Sequence, residues 1–487
     1  MRLAAPAALL VAAALAGCAT SRPAFRCEAR GGPPWRVLYA DHFVVVTDLD
    51  DADARALAEE LEVLREAVAT SLFQERHEPP VRASVVAFAD RATFQSFAPA
   101  AAVGYYAYGE SDPKIVLPGT LGWEQRRVLA HEIAHHVASY VLLRQPRWLS
   151  EGLATWAETL GAAEGGAGMV VGSVPRGRRL ETRPRRLPAG DLLAWGDEVP
   201  PDRLGAYYDA AWLLVHYLWS QHPASLREYE RRLNGAEDPV QAFREVFPQW
   251  DPLRHGALDA LDGELDQWAR LGRFDARPVR ADGVVRFAER PLPPAEVHAL
   301  RLLLWPGGAV REGDEAAWRA EAGEALAEDP AHPVVLRLLA EREGRDPLPL
   351  ARASTAAHPA DARAWTFLAD ALLPDAVGER EAALRRAAEL APDGASTQAA
   401  LARELLSQGR SGEAMPSARR AVQLAPFSSA ILDVYGAVAA DLGQCSQAIL
   451  AARRALDVLP EPAPPPERER LRQRLATYEA RCGSAAP

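Results

Sequence analysis

The chain has 487 residues, 48% of them hydrophobic, enough for two or three domains with sizeable cores. Its formal net charge of −11 argues against nucleic acid as a partner. Of its 55 cationic side chains every one but Lys114 is arginine, a chain-wide bias that tempers any functional reading of single arginines.

Arg2 precedes an apolar run of 14 residues, Leu3 to Ala16, too short for an ordinary membrane span. The run ends in Leu15-Ala16-Gly17-Cys18, which resembles the lipobox of bacterial lipoproteins. That resemblance implies cleavage of the signal peptide, residues 1–18, at the cysteine, and lipidation of Cys18 as a membrane anchor. Ala19 stands where an aspartate would retain an enteric lipoprotein in the inner membrane, so the expected location is the outer membrane, facing the periplasm. Residues 19–34 are small, polar and rich in Pro and Gly, and read as a tether.

From Trp35 the pattern turns to strands, Trp35–Tyr39 and His42–Thr47 around an Ala40-Asp41 turn. Asp51–Phe73 reads as a helix, with Leu57, Leu61, Leu64 and Val68 near 3.6-residue spacing. Val81–Phe88 is a further strand, and Tyr105–Tyr108 with Lys114–Leu117 a hairpin around Gly109–Pro113.

The stretch Val128–Glu158 contains His131-Glu132-Ile133-Ala134-His135, the H-E-x-x-H pattern. On a helix, residues four apart share a face, so His131 and His135 can bind one metal ion. Glu132 then lies where it can take a proton from water at the metal. A catalytic zinc takes three protein ligands, and Glu151, 16 residues after His135 at the start of a second helix, is the candidate third. A turn around Gln145-Pro146-Arg147 returns that helix to the histidine pair. Thr155 and Glu158, one and two turns beyond Glu151, are placed to orient the ligands. His136 points about 100° away from His135 and reads as a bystander.

HEIAHHV and PRWLSEGLATWAE resemble the H-E-x-x-H and W-L-x-E-G-x-A-x-x-x-E blocks of the gluzincin metallopeptidases, specifically the peptidase MA-like domains. The resemblance implies zinc on His131, His135 and Glu151, with Glu132 as general base. It extends to Tyr207–Leu218, similar to a family helix that begins with a tyrosine near the metal, and so implies Tyr208, or its neighbour Tyr207, as oxyanion donor. Ala211 replaces the serine usual three residues after that tyrosine. The resemblance also implies that the hairpin before the motif helix walls the cleft, where substrate backbone adds to the sheet edge.

Six arginines between Arg176 and Arg186 lie in a Gly- and Arg-rich stretch, Gly161–Pro188, read as a solvated loop or, alternatively, a flap for anionic groups. Helices are expected at Leu204–Ser220, Ala224–Leu233 and Val240–Phe247. The peptidase MA-like domain is placed at 35–278 and a Pro-rich connection at 279–315.

Residues 316–487 are repetitive. Pro392, Pro426 and Pro460 lie 34 residues apart, as do Ala387, Ala421 and Ala455. Such a period, with small residues at fixed places, is the tetratricopeptide signature, and Leu471–Arg481 reads as its capping helix. Cys445 and Cys482, on helices expected to run antiparallel in an oxidising compartment, are expected to pair.

The expected architecture is thus α+β, a gluzincin-like zinc metallopeptidase domain followed by a C-terminal, tetratricopeptide-like α-solenoid. The expected function is zinc-dependent hydrolysis of a peptide or protein substrate, with a protein partner on the repeats. The competing expectation is a non-catalytic envelope binding or assembly lipoprotein that keeps the metallopeptidase fold as a scaffold.

Overall fold

The computed structural model describes residues 25–73, 79–98, 103–107, 114–119, 121–162, 168–175, 186–196, 199–281, 285–305, 314–459 and 465–483. Cys18, the rest of the expected signal peptide, the arginine-rich stretch 176–185 and the tip of the hairpin lie outside them. Among the described residues no helix is long and apolar enough to cross a membrane.

Nine strands fall in two sheets among those residues: β1 (Arg36–Tyr39), β2 (Phe43–Thr47), β3 (Ala83–Phe88), β4 (Tyr105–Ala107), β5 (Lys114–Pro118), β6 (Gly161–Ala162), β7 (Met169–Val171), β8 (Arg277–Val279) and β9 (Ala288–Pro291). The larger sheet has the order β4-β5-β3-β2-β1-β9. β2, β3 and β5 run parallel, with antiparallel pairs at both edges. The parallel β2–β3 pair needs a crossover, supplied by the helix Asp51–Phe73, whose Leu57, Leu61, Leu64, Val68 and Leu72 are buried. Alternation in β2 buries Phe43, Val45 and Thr47 and leaves Val44 and Val46 partly exposed.

The segment expected to be a Pro-rich connection is part of the fold. β9 pairs with β1, Val37 opposite Arg290 and Leu38 opposite Glu289, and the helix Pro294–Leu303 follows it. All four residues of β9 are exposed, so the apolar alternation that marks a strand is missing. Nor is 315 a break between cores. Val86, Phe88 and Val116 on the back of the sheet share one apolar cluster with Leu300, Trp305, Trp318 and Val335. The first helices of the repeat region are therefore a layer of the sheet domain.

Beyond them the chain is a helical repeat array. Its pairs are Pro333–Glu343 with Pro347–Ala357, Ala362–Ala371 with Val377–Leu390, Ala395–Ser407 with Ser411–Leu424, and Ser429–Asp441 with Cys445–Asp457. The closing helix, Pro465–Gly483, starts six residues before the sequence expectation. Ala402, Ala414 and Ala448 are fully buried where paired helices meet. Cys445 is disulfide-bonded; the side chain of Cys482 lies outside the described residues, and Cys27 is free and buried.

The array also returns to the sheet domain. Tyr140 Oη donates to the Leu424 carbonyl at 2.8 Å, and Arg144 Nε donates to Asp457 at 2.7 Å. His136 packs 5.4 Å from the Phe427 ring, and burial pushes its imidazole down to about 4. The residue read as a bystander is thus an apolar contact for the array.

Candidate metal centre

The H-E-x-x-H residues lie in the motif helix Trp123–Val141, which buries Leu129, Ala130, Ile133, Ala134 and Val137. That buried stripe turns His131 and His135 to one side, both partly exposed. A turn from Leu142 leads into the carboxylate helix, Arg147–Ala157, where Trp148, Leu149 and Leu153 anchor the packing and Glu151 faces back. Gly152 permits a close approach to the next helix, Pro201–Gln221. A Cβ there would lie 2.8 Å from the Ala211 carbonyl oxygen and 2.6 Å from a Val215 methyl.

Three donor atoms meet. His131 Nε2 and His135 Nε2 are 3.1 Å apart, and Glu151 Oε2 is 3.5 Å from each. Among the described residues these form the one group of three or more His, Cys, Asp or Glu side chains with metal-binding spacing. Each ring is held from its other side, His131 Nδ1 by Glu158 at 2.9 Å and His135 Nδ1 by Ser150 Oγ at 3.1 Å. Arg127 stands 3.7 Å behind Glu158. Holding Nδ1 leaves Nε2 of each ring turned toward the gap, as metal-binding histidines require.

The electrostatics report the same convergence. Burial opposes charge on His131, yet Glu151 at 3.5 Å, the hydrogen bond to Glu158 and the nearby carboxylates, Glu132 among them, lift it to about 10. Burial likewise opposes charge on Glu151, but the facing histidines, His135 first, hold its carboxyl well below the usual range.

The residues fit a zinc ion. Donors of a tetrahedral zinc, bonded at ~2.0–2.1 Å, sit ~3.3–3.4 Å from one another, close to the spacing of this trio. Glu151 Oε2 is buried with no hydrogen-bond partner, a cost of about 1–3 kcal/mol that a cation would remove.

Glu132 is partly exposed beside His131. The Tyr208 ring centroid lies 6.2 Å from that of His131, whereas Tyr207 packs on Trp195 at 4.9 Å. Tyr208 is therefore the tyrosine at the cluster. Glu158 takes an orienting position, but Thr155 does not: its hydroxyl is buried without a hydrogen-bond partner. Helical spacing places Thr155 on the Glu151 side, where its side chain is fully buried. Ser150 was missing from the sequence reading; its place one residue before Glu151 was the available signal.

No protein-family model matches the chain, and no curated protein matches it. Among solved structures it is similar to a thermophilic TPR protein of Thermus thermophilus, at 19% identity over 38% of this chain and 97% of that one, with a TM-score of 0.29. A second similar structure is MamA protein, at 16% identity over 34% of this chain and 91% of that one, with a TM-score of 0.26. The repeat architecture described above stands on this chain's own helix pairs.

Proposed function

We propose that the chain is a zinc-dependent peptide hydrolase of the gluzincin type, held at the bacterial envelope by a lipid on Cys18. One observation carries the reading: the buried, hydrogen-bond-free Glu151 Oε2 converging with the Nε2 atoms of His131 and His135. Zinc in that cluster would supply Lewis acidity toward a carbonyl and toward water.

The remaining work falls to the chain. Glu132 accepts a proton from the attacking water and returns it to the leaving nitrogen. Tyr208 donates a hydrogen bond to the oxygen on which negative charge develops. Glu158 and Ser150 fix the two imidazoles so that nothing needs to reorient during the reaction. β4, at the end of the larger sheet, offers backbone for an extended substrate to pair with.

The second reading is a binding or assembly protein acting through the helical repeats, favoured by the share of the chain they occupy and by their return contacts to the sheet domain. Metal analysis and turnover on an unfolded protein separate the two. The parent should hold one zinc and cut, and Glu151→Ala should lose both properties, because two ligands hold the ion poorly. A parent that binds zinc yet cleaves nothing supports the repeat-centred reading.

A further inference from the structure

A cavity of about 500 Å³ lies between the motif helix and the repeat array. Its volume falls within the range of small-ligand and peptide sites. The motif-helix end contributes Ser139, Tyr140 and Leu143, and the second helices of the last two repeat pairs contribute the opposite wall. The site is thus built jointly by both halves of the molecule, with Ser139 one turn beyond His135.

Its charge is one-sided. Arg419, Arg420 and Arg454 line it, and none of its lining residues is acidic, in a chain with 66 acidic and 55 basic residues. Most arginines of the array pair with a carboxylate, as Arg410 does with Glu381 at 2.6 Å and Arg453 with Glu479 at 2.8 Å. These three make no ion pair with any described residue. The nearest acid on Arg454's helix, Asp457, is taken by Arg144. Burial pushes the Arg454 guanidinium down from its ordinary value despite the pull of Asp457, so its charge is poorly solvated.

The other walls define the rest of the occupant. Leu143, Val422 and Leu450 offer apolar surface; the Gln423 side-chain amide offers a donor and an acceptor that match a peptide group, and Gln447, whose Oε1 accepts from Tyr435 at 2.9 Å, offers its amide donors. We infer that this cavity is a docking site for a peptide segment that presents a carboxylate next to an apolar side chain. The carboxylate goes to the arginines, the side chain to the leucine–valine wall and the backbone to the glutamines. The site is separate from the metal cluster, and the inference stands whether or not the chain hydrolyses peptides.

The test is fluorescence anisotropy on the full chain carrying Glu132→Gln, which keeps any peptide uncut. The probes are a fluorescein-labelled hexapeptide alternating Leu and Glu and its Leu/Gln isostere, with decanoate as competitor. The Leu/Glu peptide should bind, and the isostere should bind about ten-fold or more weakly, since each lost charge-assisted contact costs about that factor. Arg454→Gln should weaken the Leu/Glu peptide similarly. The exposed Arg419→Gln, which leaves the helix packing untouched, carries the same expectation if Arg454→Gln fails to fold. Rising salt should weaken binding as well. Equal binding of both peptides, no binding, or affinity unmoved by the arginine variants overturns the inference. Decanoate that displaces the peptide at comparable concentration also overturns it, by assigning the cavity to a fatty carboxylate.

Discussion

The half that carries the histidine–glutamate cluster and the repeat array both pack helix on helix, yet they dispose of charge in opposite ways. In the array, charged groups pair across neighbouring repeats at half-exposed surfaces, Arg352 with Glu379 at 2.9 Å and Arg453 with Glu479 at 2.8 Å. Such pairs contribute about 0–1 kcal/mol each, so the array is held by its buried alanines and leucines. In the cluster half, two histidines and a glutamate turn their donor atoms on one another. An arrangement that leaves Glu151 Oε2 buried and unbonded is a poor way to stabilise a fold and a good way to hold a metal. Around the interface cavity the array departs from its own rule, and its unpaired arginines mark a place for a ligand there too.

The largest expected effect tests whether the converging charges do chemistry. Glu132→Gln should lower turnover on an unfolded protein by roughly 10²–10⁴-fold. Zinc content should stay at the parent's level, because Glu132 is not among the three converging donors. Loss of zinc with the activity would make Glu132 a structural support of the cluster and erase the distinction between ligand and base.

A second buried glutamate sharpens the contrast within the cluster half. Glu230, in the helix Pro223–Asn234, also has an oxygen buried without a hydrogen bond. Burial pushes its carboxyl up to about 8, against a weak pull from Arg227, whereas the facing histidines push Glu151 down. With the folded value raised, the native state holds a proton that the unfolded chain gives up near 4.5. Its stabilising contribution is therefore present at acid pH and lost as pH rises from about 4.5 to about 8. Glu230→Gln should stabilise the protein at pH 8 by about 3–5 kcal/mol relative to acid pH. Urea unfolding at pH 5 and pH 8 reads this directly. An equal effect at both would mean that an unrecognised cation neutralises Glu230.

The two halves also differ in how far the sequence reveals them. His131, Glu132, His135 and Glu151 sit within one short stretch, so helix periodicity pairs the histidines and one turn returns Glu151 to them. The 34-residue period of prolines and alanines likewise reports the array, because every repeat obeys the same local packing. What stays hidden is long-range. β9 carries no alternation, and its Arg290 meets Tyr39 of β1 across 251 residues. The Arg144–Asp457 contact spans 313 residues and has no local signature at either end. Ser150 and Glu158 hold the rings through rotamers that spacing does not determine, and the Thr155 hydroxyl, at an equally suitable spacing, makes no hydrogen bond. His136 looked idle because its contact in the array, Phe427, comes from the far end of the chain.

Close packing separates the halves next. Gly152 has the Ala211 carbonyl oxygen 2.8 Å from where a Cβ would lie, and that atom is backbone that cannot swing aside. Gly152→Ala should therefore force the carboxylate helix off the helix Pro201–Gln221, at a cost of about 1–3 kcal/mol. Glu151 is the adjacent residue, so zinc affinity should fall with stability. Thermal unfolding with and without zinc measures both. Lost stability with unchanged zinc affinity would show that the cluster tolerates movement of its own helix.

The smallest effect is expected at the matching position of the array. Gly436 lies mid-helix in Ser429–Asp441, and a Cβ there would sit 3.2 Å from the Ala451 Cβ and 3.6 Å from the Tyr478 ring. Replacing a mid-helix glycine with alanine gains roughly 0.5–1 kcal/mol from the unfolded chain's lost freedom. The close contact opposes that gain, but its nearest atom is a methyl on a neighbouring helix that needs to give by only a few tenths of an ångström. Repeat pairs stack through nearest-neighbour interfaces, and a shift of one helix spreads along the array at little cost. Gly436→Ala should thus change stability by less than about 1 kcal/mol, in contrast to Gly152→Ala. Urea unfolding of the two variants side by side is the measurement. A loss at Gly436 as large as that at Gly152 would mean that the closing helix, through Tyr478, fixes the last repeat as rigidly as the sheet domain fixes the metal cluster.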